Sequence, residues 1–274
     1  MHRDRLITAA IAGPLVLAAV IWGDRLVYHA LIFLACLLTL FEYYSMTFKT
    51  QAFLKFTGIS AGLLVLASIV YLADPAGLAL GFTLALMVIL AGVISAYQGI
   101  ESPFHAVLAL FFGALYIGGT LGLIGLLRQE PFGIQWVLFL FLTVAAADSG
   151  AYYVGKSVGR RKLCPAISKG KTVEGAVGGL AFCALTAVVF WIGFFRQADP
   201  RALIPLAILL GLVSQMGDLA ESIVKRSCGV KDSGKLLPGH GGIFDRIDGL
   251  ILSGALLYWV VHLFSAFLIN GTIT

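Results

Sequence analysis

Asp218, Glu221, Ser222 and Lys225 stand at i, i+3, i+4 and i+7, so a helix running through them carries acid, hydroxyl and ammonium groups on one face. Beyond them lies a turn built from Gly234, Pro238, Gly239, Gly241 and Gly242 around His240, and after it Asp245 and Asp248 are again three apart. Carboxylates spaced in this way hold a hard divalent cation through oxygen, and Mg²⁺ commonly takes only one or two from protein while phosphates fill its remaining positions. Lys225, Arg226, Lys231 and Lys235 are the complement expected for a polyphosphate. The chemistry indicated is that of a metal ion working on phosphate. A plain loop made basic by the positive-inside bias is the competing reading. It accounts poorly for acids at the ends of apolar segments and for a histidine between glycines.

These residues must be positioned by elements of an unusual kind. Of the 274 residues 59% are hydrophobic and 12% charged, and the mean hydropathy is +0.96. A soluble domain of this length cannot hide so much apolar surface, whereas a protein crossing a membrane many times displays it to lipid. Apolar windows recur at about 6–23, 26–46, 53–73, 78–97, 104–127, 133–154, 174–195, 202–220 and 249–269, each close to the ~20 residues that a crossing helix needs. The expected fold is therefore all-α, a polytopic membrane protein of about nine spans joined by short connections. The first window follows Arg3 and Arg5 and reads as an uncleaved span rather than a signal sequence, being longer than an h-region and lacking a clear cleavage site.

Orientation follows from the cations. With the N-terminus inside, all of the 19 Lys and Arg except Arg25, Arg128, Arg196 and Arg201 fall on the inner side, which places the C-terminus outside. The two long polar connections, 155–173 and 221–248, then share the cytoplasmic face and can build one site. The chain reads as a single membrane domain, with a helical array over 1–130 and a catalytic half over 131–274. The net charge of +5 is not a nucleic-acid footprint, because the cations are spread over loops between spans. Cys36, Cys164, Cys183 and Cys228 have neither disulfide-framework nor zinc-ligand spacing.

Other polar residues divide into those with and without an expected role. Asp148 falls within a span, where a carboxylate costs about 2.5–3.5 kcal/mol on insertion scales, and so is expected to face a polar cavity. The run from Gly150 to Ser157 fits the Walker A pattern, but such a loop needs a strand before it, and the residues before this one continue a membrane helix. Glu42, beside Tyr43 and Tyr44 at the end of the second window, reads as part of an interfacial belt. His29, His105 and His262 are scattered and are assigned no chemistry.

From Ser222 to Asp248 the chain reads S-x-apolar-K-R, four residues, K-D, then P-x-H-G-G, then D-R-x-D. This stretch resembles the signature of the phosphatidate cytidylyltransferases (CDP-diacylglycerol synthases). Two further segments, D148-S-G-A-Y-Y-V-G and S168-K-G-K-T-V-E-G, are also similar to that family, although Lys169 stands where many members carry a proline. The resemblance covers roughly the C-terminal half.

The resemblance implies transfer of the cytidylyl group of CTP to phosphatidic acid, with release of pyrophosphate. It implies Mg²⁺ on Asp218 and Asp245, with Asp248 and Asp148 nearby and room for a second cation. By the same token Lys225 and Arg246 join the two acids in catalysis. Ser222, Arg226, Lys171, Thr172, Lys231 and His240 would bind substrate, a purely structural role staying open for His240, whose flanking glycines let its backbone come close to a ligand. A homodimer is expected on resemblance alone. A chain so compact, without added domains, is expected in a bacterial inner membrane with its site facing the cytoplasm. Two alternatives stay open: a CTP-dependent kinase of a lipid alcohol, and an ion or anion transporter whose acids line a pathway.

Overall fold

The computed structural model describes residues 13–72, 74–234, 236 and 241–270. Among them eight helices are long and apolar enough to cross a membrane: α1 (Arg25–Thr47), α2 (Ala52–Leu72), α3 (Pro75–Ser95), α4 (Pro103–Leu127), α5 (Gly133–Val158), α6 (Val173–Gly193), α7 (Pro200–Ser227) and α8 (Phe244–Asn270, apolar enough to span as far as Ser265). Much of the first expected span lies outside the described residues; from residue 13 to 21 the chain is helical. His240 also lies outside them.

Several helix starts are written in the sequence. Asp24 caps α1 by accepting from the Val27 N–H at 2.8 Å, and Asp74 caps α3 by accepting from Ala76 and Gly77, with Pro75 in the first turn. Thr172 caps α6 through the Gly175 N–H at 3.1 Å. Pro205 sits inside α7, a tolerated position for proline in a membrane helix.

By its internal contacts the chain forms two compact units, which do not follow its linear halves. The first joins the chain up to Leu126 with Ser227–Arg246; the second joins Leu127–Arg226 with the chain from Ile247 onward. Within the first unit, Tyr43 and Tyr44 are buried, and their hydroxyls donate to the carbonyls of Ala109 and Leu110 at 3.0 and 2.7 Å. Those carbonyls lie in the turns of α4 that lead into a π-helical segment, Ala114–Gly119. The Leu110 carbonyl also accepts from the Ala114 N–H, so the Tyr44 hydroxyl occupies its second lone pair. The two tyrosines thus serve helix packing rather than an interfacial belt.

Within the second unit, α5 and α6 approach closely through small residues. A Cβ at Gly178 would meet the Val154 side chain, and one at Gly179 would meet the Ala147 carbonyl at 2.7 Å. Gly150 and Gly155 of the Walker-like run lie inside α5 and face α6 in the same way. Their spacing is that of a packed helix face. The connection 159–172, expected as a polar loop, contains a β-hairpin of β1 (Lys162–Cys164) and β2 (Ser168–Thr172). Glu174 ties its base down by accepting from the backbone N–H groups of Arg160 and Arg161.

Candidate active site

In the second unit α7 continues as one helix to Ser227, so Asp218, Glu221, Ser222 and Lys225 do share a face. Asp248 approaches that face from α8. One carboxylate oxygen from each of Asp218, Glu221 and Asp248 lies within 4.8 Å of the others. The approach depends on Gly217 and Gly249, which flank the two aspartates. A Cβ on Gly217 would run into the carbonyl of Asp248, and one on Gly249 would meet the Ser214 hydroxyl oxygen at 2.5 Å. Both glycines let the helices close to backbone distance beside the acids.

Two lysines answer this charge. Lys171, at the end of the hairpin, places Nζ 2.6 Å from Asp218 Oδ2. Lys225 places Nζ 2.5 Å from Glu221 Oε2, one turn back on α7, and Glu221 is fully buried. Asp148 and Asp218 both act electrostatically on the Asp248 carboxyl, so the three aspartates share one locality. A cleft of about 450 Å³ opens there, its lining including Asp148, Lys156, Lys171, Thr172, Gln215 and Asp218.

Three hard carboxylate ligands this close, with a lysine on each of two of them, form a donor set that fits Mg²⁺ beside bound phosphates. An acid cluster, cations for phosphate and a pocket beside an apolar helix bundle are together suited to joining a water-soluble phosphate to a lipid one.

The structure distributes the other sequence-predicted residues as follows. Ser222 is buried on α7 and Arg226 is exposed near its end. Lys231 is exposed on the loop that follows. Asp245 and Arg246 head α8 and belong, with that loop, to the first unit. There Asp245 Oδ2 accepts from the Ser233 N–H and hydroxyl and from the Gly242 N–H, at 3.0, 2.9 and 2.9 Å. Its carboxylate therefore joins the two ends of the glycine turn. Gly241, with φ of 80°, supplies the left-handed residue that the turn requires.

Three residues carry more than the sequence reading gave them. Glu221 was placed on the α7 face but not among the ligands, although its i+3 spacing from Asp218 was signal enough. Lys156 reaches the cleft because α5 extends past the expected end of its span. Glu42 is buried to 2% exposure, not interfacial, and accepts from the Ser233 hydroxyl and the Phe244 N–H at 3.1 and 2.9 Å.

The chain matches the cytidylyltransferase family over residues 3–264. It is similar to proteins named phosphatidate cytidylyltransferase from Brucella melitensis (47% identical over 147 residues), Bacillus subtilis (40% over 153) and Staphylococcus aureus (42% over 139). The aligned regions cover 53%, 56% and 50% of this chain and 54%, 57% and 52% of those relatives, so the chain spans about half the length of the curated relatives that it matches. With a family match over nearly its whole length, the chain belongs to the cytidylyltransferase family.

Proposed function

We propose that this protein transfers the cytidylyl group of CTP to phosphatidic acid, giving CDP-diacylglycerol and pyrophosphate for phospholipid synthesis. The observation that carries the reading is the group formed by Asp218, Glu221 and Asp248 beside a cleft lined by Lys171 and Thr172. Asp218, Glu221 and Asp248 would hold Mg²⁺, with Asp148 close by. The ion, when bound, would neutralise phosphate charge as it builds up on the leaving pyrophosphate.

The protein's own groups do the rest. A phosphatidate oxygen attacks the α-phosphorus of CTP, a new P–O bond forms, and the bond from that phosphorus to the bridging oxygen breaks in line with it. No general base is needed, since a phosphate monoester is already largely ionised near pH 7. Catalysis then rests on positioning and on cations aimed at phosphate. Lys171 and Lys225 are held ready by their acids and exchange them for phosphate oxygens as substrate arrives. Thr172 fixes the start of α6 at the cleft wall. Asp245, Arg246, Arg226, Lys231 and His240 are assigned to the same chemistry by the signature to which they belong. The site faces the cytoplasm, where CTP is dissolved, and the membrane is a bacterial inner membrane.

Purified protein given Mg²⁺, phosphatidate and CTP labelled at either the α or the γ phosphorus tests this directly. Label entering lipid from the α position alone is expected. Label from the γ position alone would mean a lipid kinase, and none from either would leave a transporter.

A further inference from the structure

Glu42 is remote in sequence from every residue of the signature, being 191 positions from Ser233 and 202 from Phe244. Its Oε2 nevertheless accepts from both, at 3.1 and 2.9 Å, and its Oε1 is buried with no hydrogen-bond partner among the described residues. Leaving a buried carboxylate oxygen in this state is costly, so the contacts made by Oε2 must hold the side chain in place. Gly234 and Gly242, on either side of His240, both press against it. A Cβ at Gly234 or at Gly242 would collide with the Glu42 carboxylate. Phe244, the first residue of α8, is itself fully buried and packs edge-on against Tyr43 and Tyr116.

The Ser233 hydroxyl lies within reach of both Glu42 Oε2 and Asp245 Oδ2, at 3.1 and 2.9 Å, and its single proton serves one of them at a time. Ser233 therefore lies between two carboxylates, one from α1 and one from the head of α8. An oxygen acceptor at the Phe244 N–H also satisfies one of the free donors at the start of α8. One buried side chain thus fixes where α8 starts and how the residues after Phe244 are presented.

We infer that Glu42 is a positioning residue for cytidylyl transfer, holding the head of α8 and with it Asp245 and Arg246, which the signature assigns to the reaction. The inference rests on the proposed reaction, and the wild-type assay above stands as its separate control. A residue that only stabilises the fold would lower the melting temperature and leave the turnover of folded molecules intact. A positioning residue lowers kcat of the folded protein.

The test uses the full chain in detergent micelles, with Glu42→Ala, Glu42→Gln and Ser233→Ala. In Glu42→Ala, kcat per folded molecule should fall at least about 30-fold, KM for CTP should change less than about threefold, and the Gly242 and Phe244 amides should exchange hydrogen faster. Glu42→Gln keeps an acceptor and should recover most of the turnover. If Glu42→Ala does not give a single species on size exclusion, Ser233→Ala decides, with a smaller fall in the same direction. Normal kcat in a folded Glu42→Ala, or in Ser233→Ala where that variant decides, would overturn the inference. So would a Glu42→Gln no better than Glu42→Ala. Failure of the wild type to transfer label would instead strike at the proposed reaction.

Discussion

A carboxylate buried as completely as Glu221 needs a cation beside it, and Lys225 at 2.5 Å provides one. With Asp218, Asp248 and Lys171 in the same locality, the acids outnumber the lysines, an excess of negative charge that a divalent ion would offset. Asp218→Asn and Asp248→Asn should each fold and insert normally yet lose cytidylyl transfer by at least about 100-fold. The double variant should be scarcely worse than the poorer single, since both act through one ion. Magnesium-dependent turnover of the three proteins checks this, and near-normal turnover in either single would remove that acid from the site. Lys225→Ala should likewise cost far more turnover than Lys55→Ala. Lys49 is an unsuitable comparison, because its ammonium donates to the Cys228 carbonyl at the start of the signature loop. Equal, small losses in both variants would leave Lys225 with a topological role only.

At the scale of elements, the site exists because α7 and α8 meet at glycine. Gly217→Ala would drive a methyl group into the Asp248 carbonyl, and forcing extra volume into a packed contact commonly costs about 1–3 kcal/mol. The expected result is a lower melting temperature together with at least a tenfold loss of turnover. Gly193→Ala, whose added methyl meets nothing, should change neither. A normal Gly217→Ala enzyme would mean that the acids tolerate a wider helix spacing. Spans were legible in the sequence because the bilayer sets one length for all of them, and the α7 face because 3.6-residue periodicity is rigid. The hairpin was not legible, since Lys162–Cys164 and Ser168–Thr172 hold no alternating apolar pattern and are paired through backbone. Glu42 was not legible either. A carboxylate near the end of a span looks the same from sequence whether it meets water or a turn some 200 residues away.

Across the whole molecule, the side on which the polar connections lie decides whether one face of the membrane can host the chemistry. Cys164, in the hairpin, and Cys228, on the loop after α7, report on both. An impermeant thiol reagent applied to intact cells should label neither, and both should react once the membrane is opened. Labelling of one alone from outside would separate the two connections and dismantle the shared site.

The seating of Ser233 and Phe244 against Glu42 of α1 has a consequence for how the chain can be divided. A fragment holding residues 131–274 carries every acid of the cluster, but lacks the side chain on which its glycine turn rests. Expressed alone, it should be inactive even when inserted in a membrane. Co-expressed with residues 1–130, it should regain transfer, because the missing part is a surface and not a continuous backbone. The same complementation with Glu42→Ala in the smaller fragment should fail. The helical array that looks least like an enzyme would then behave as an obligate subunit of one.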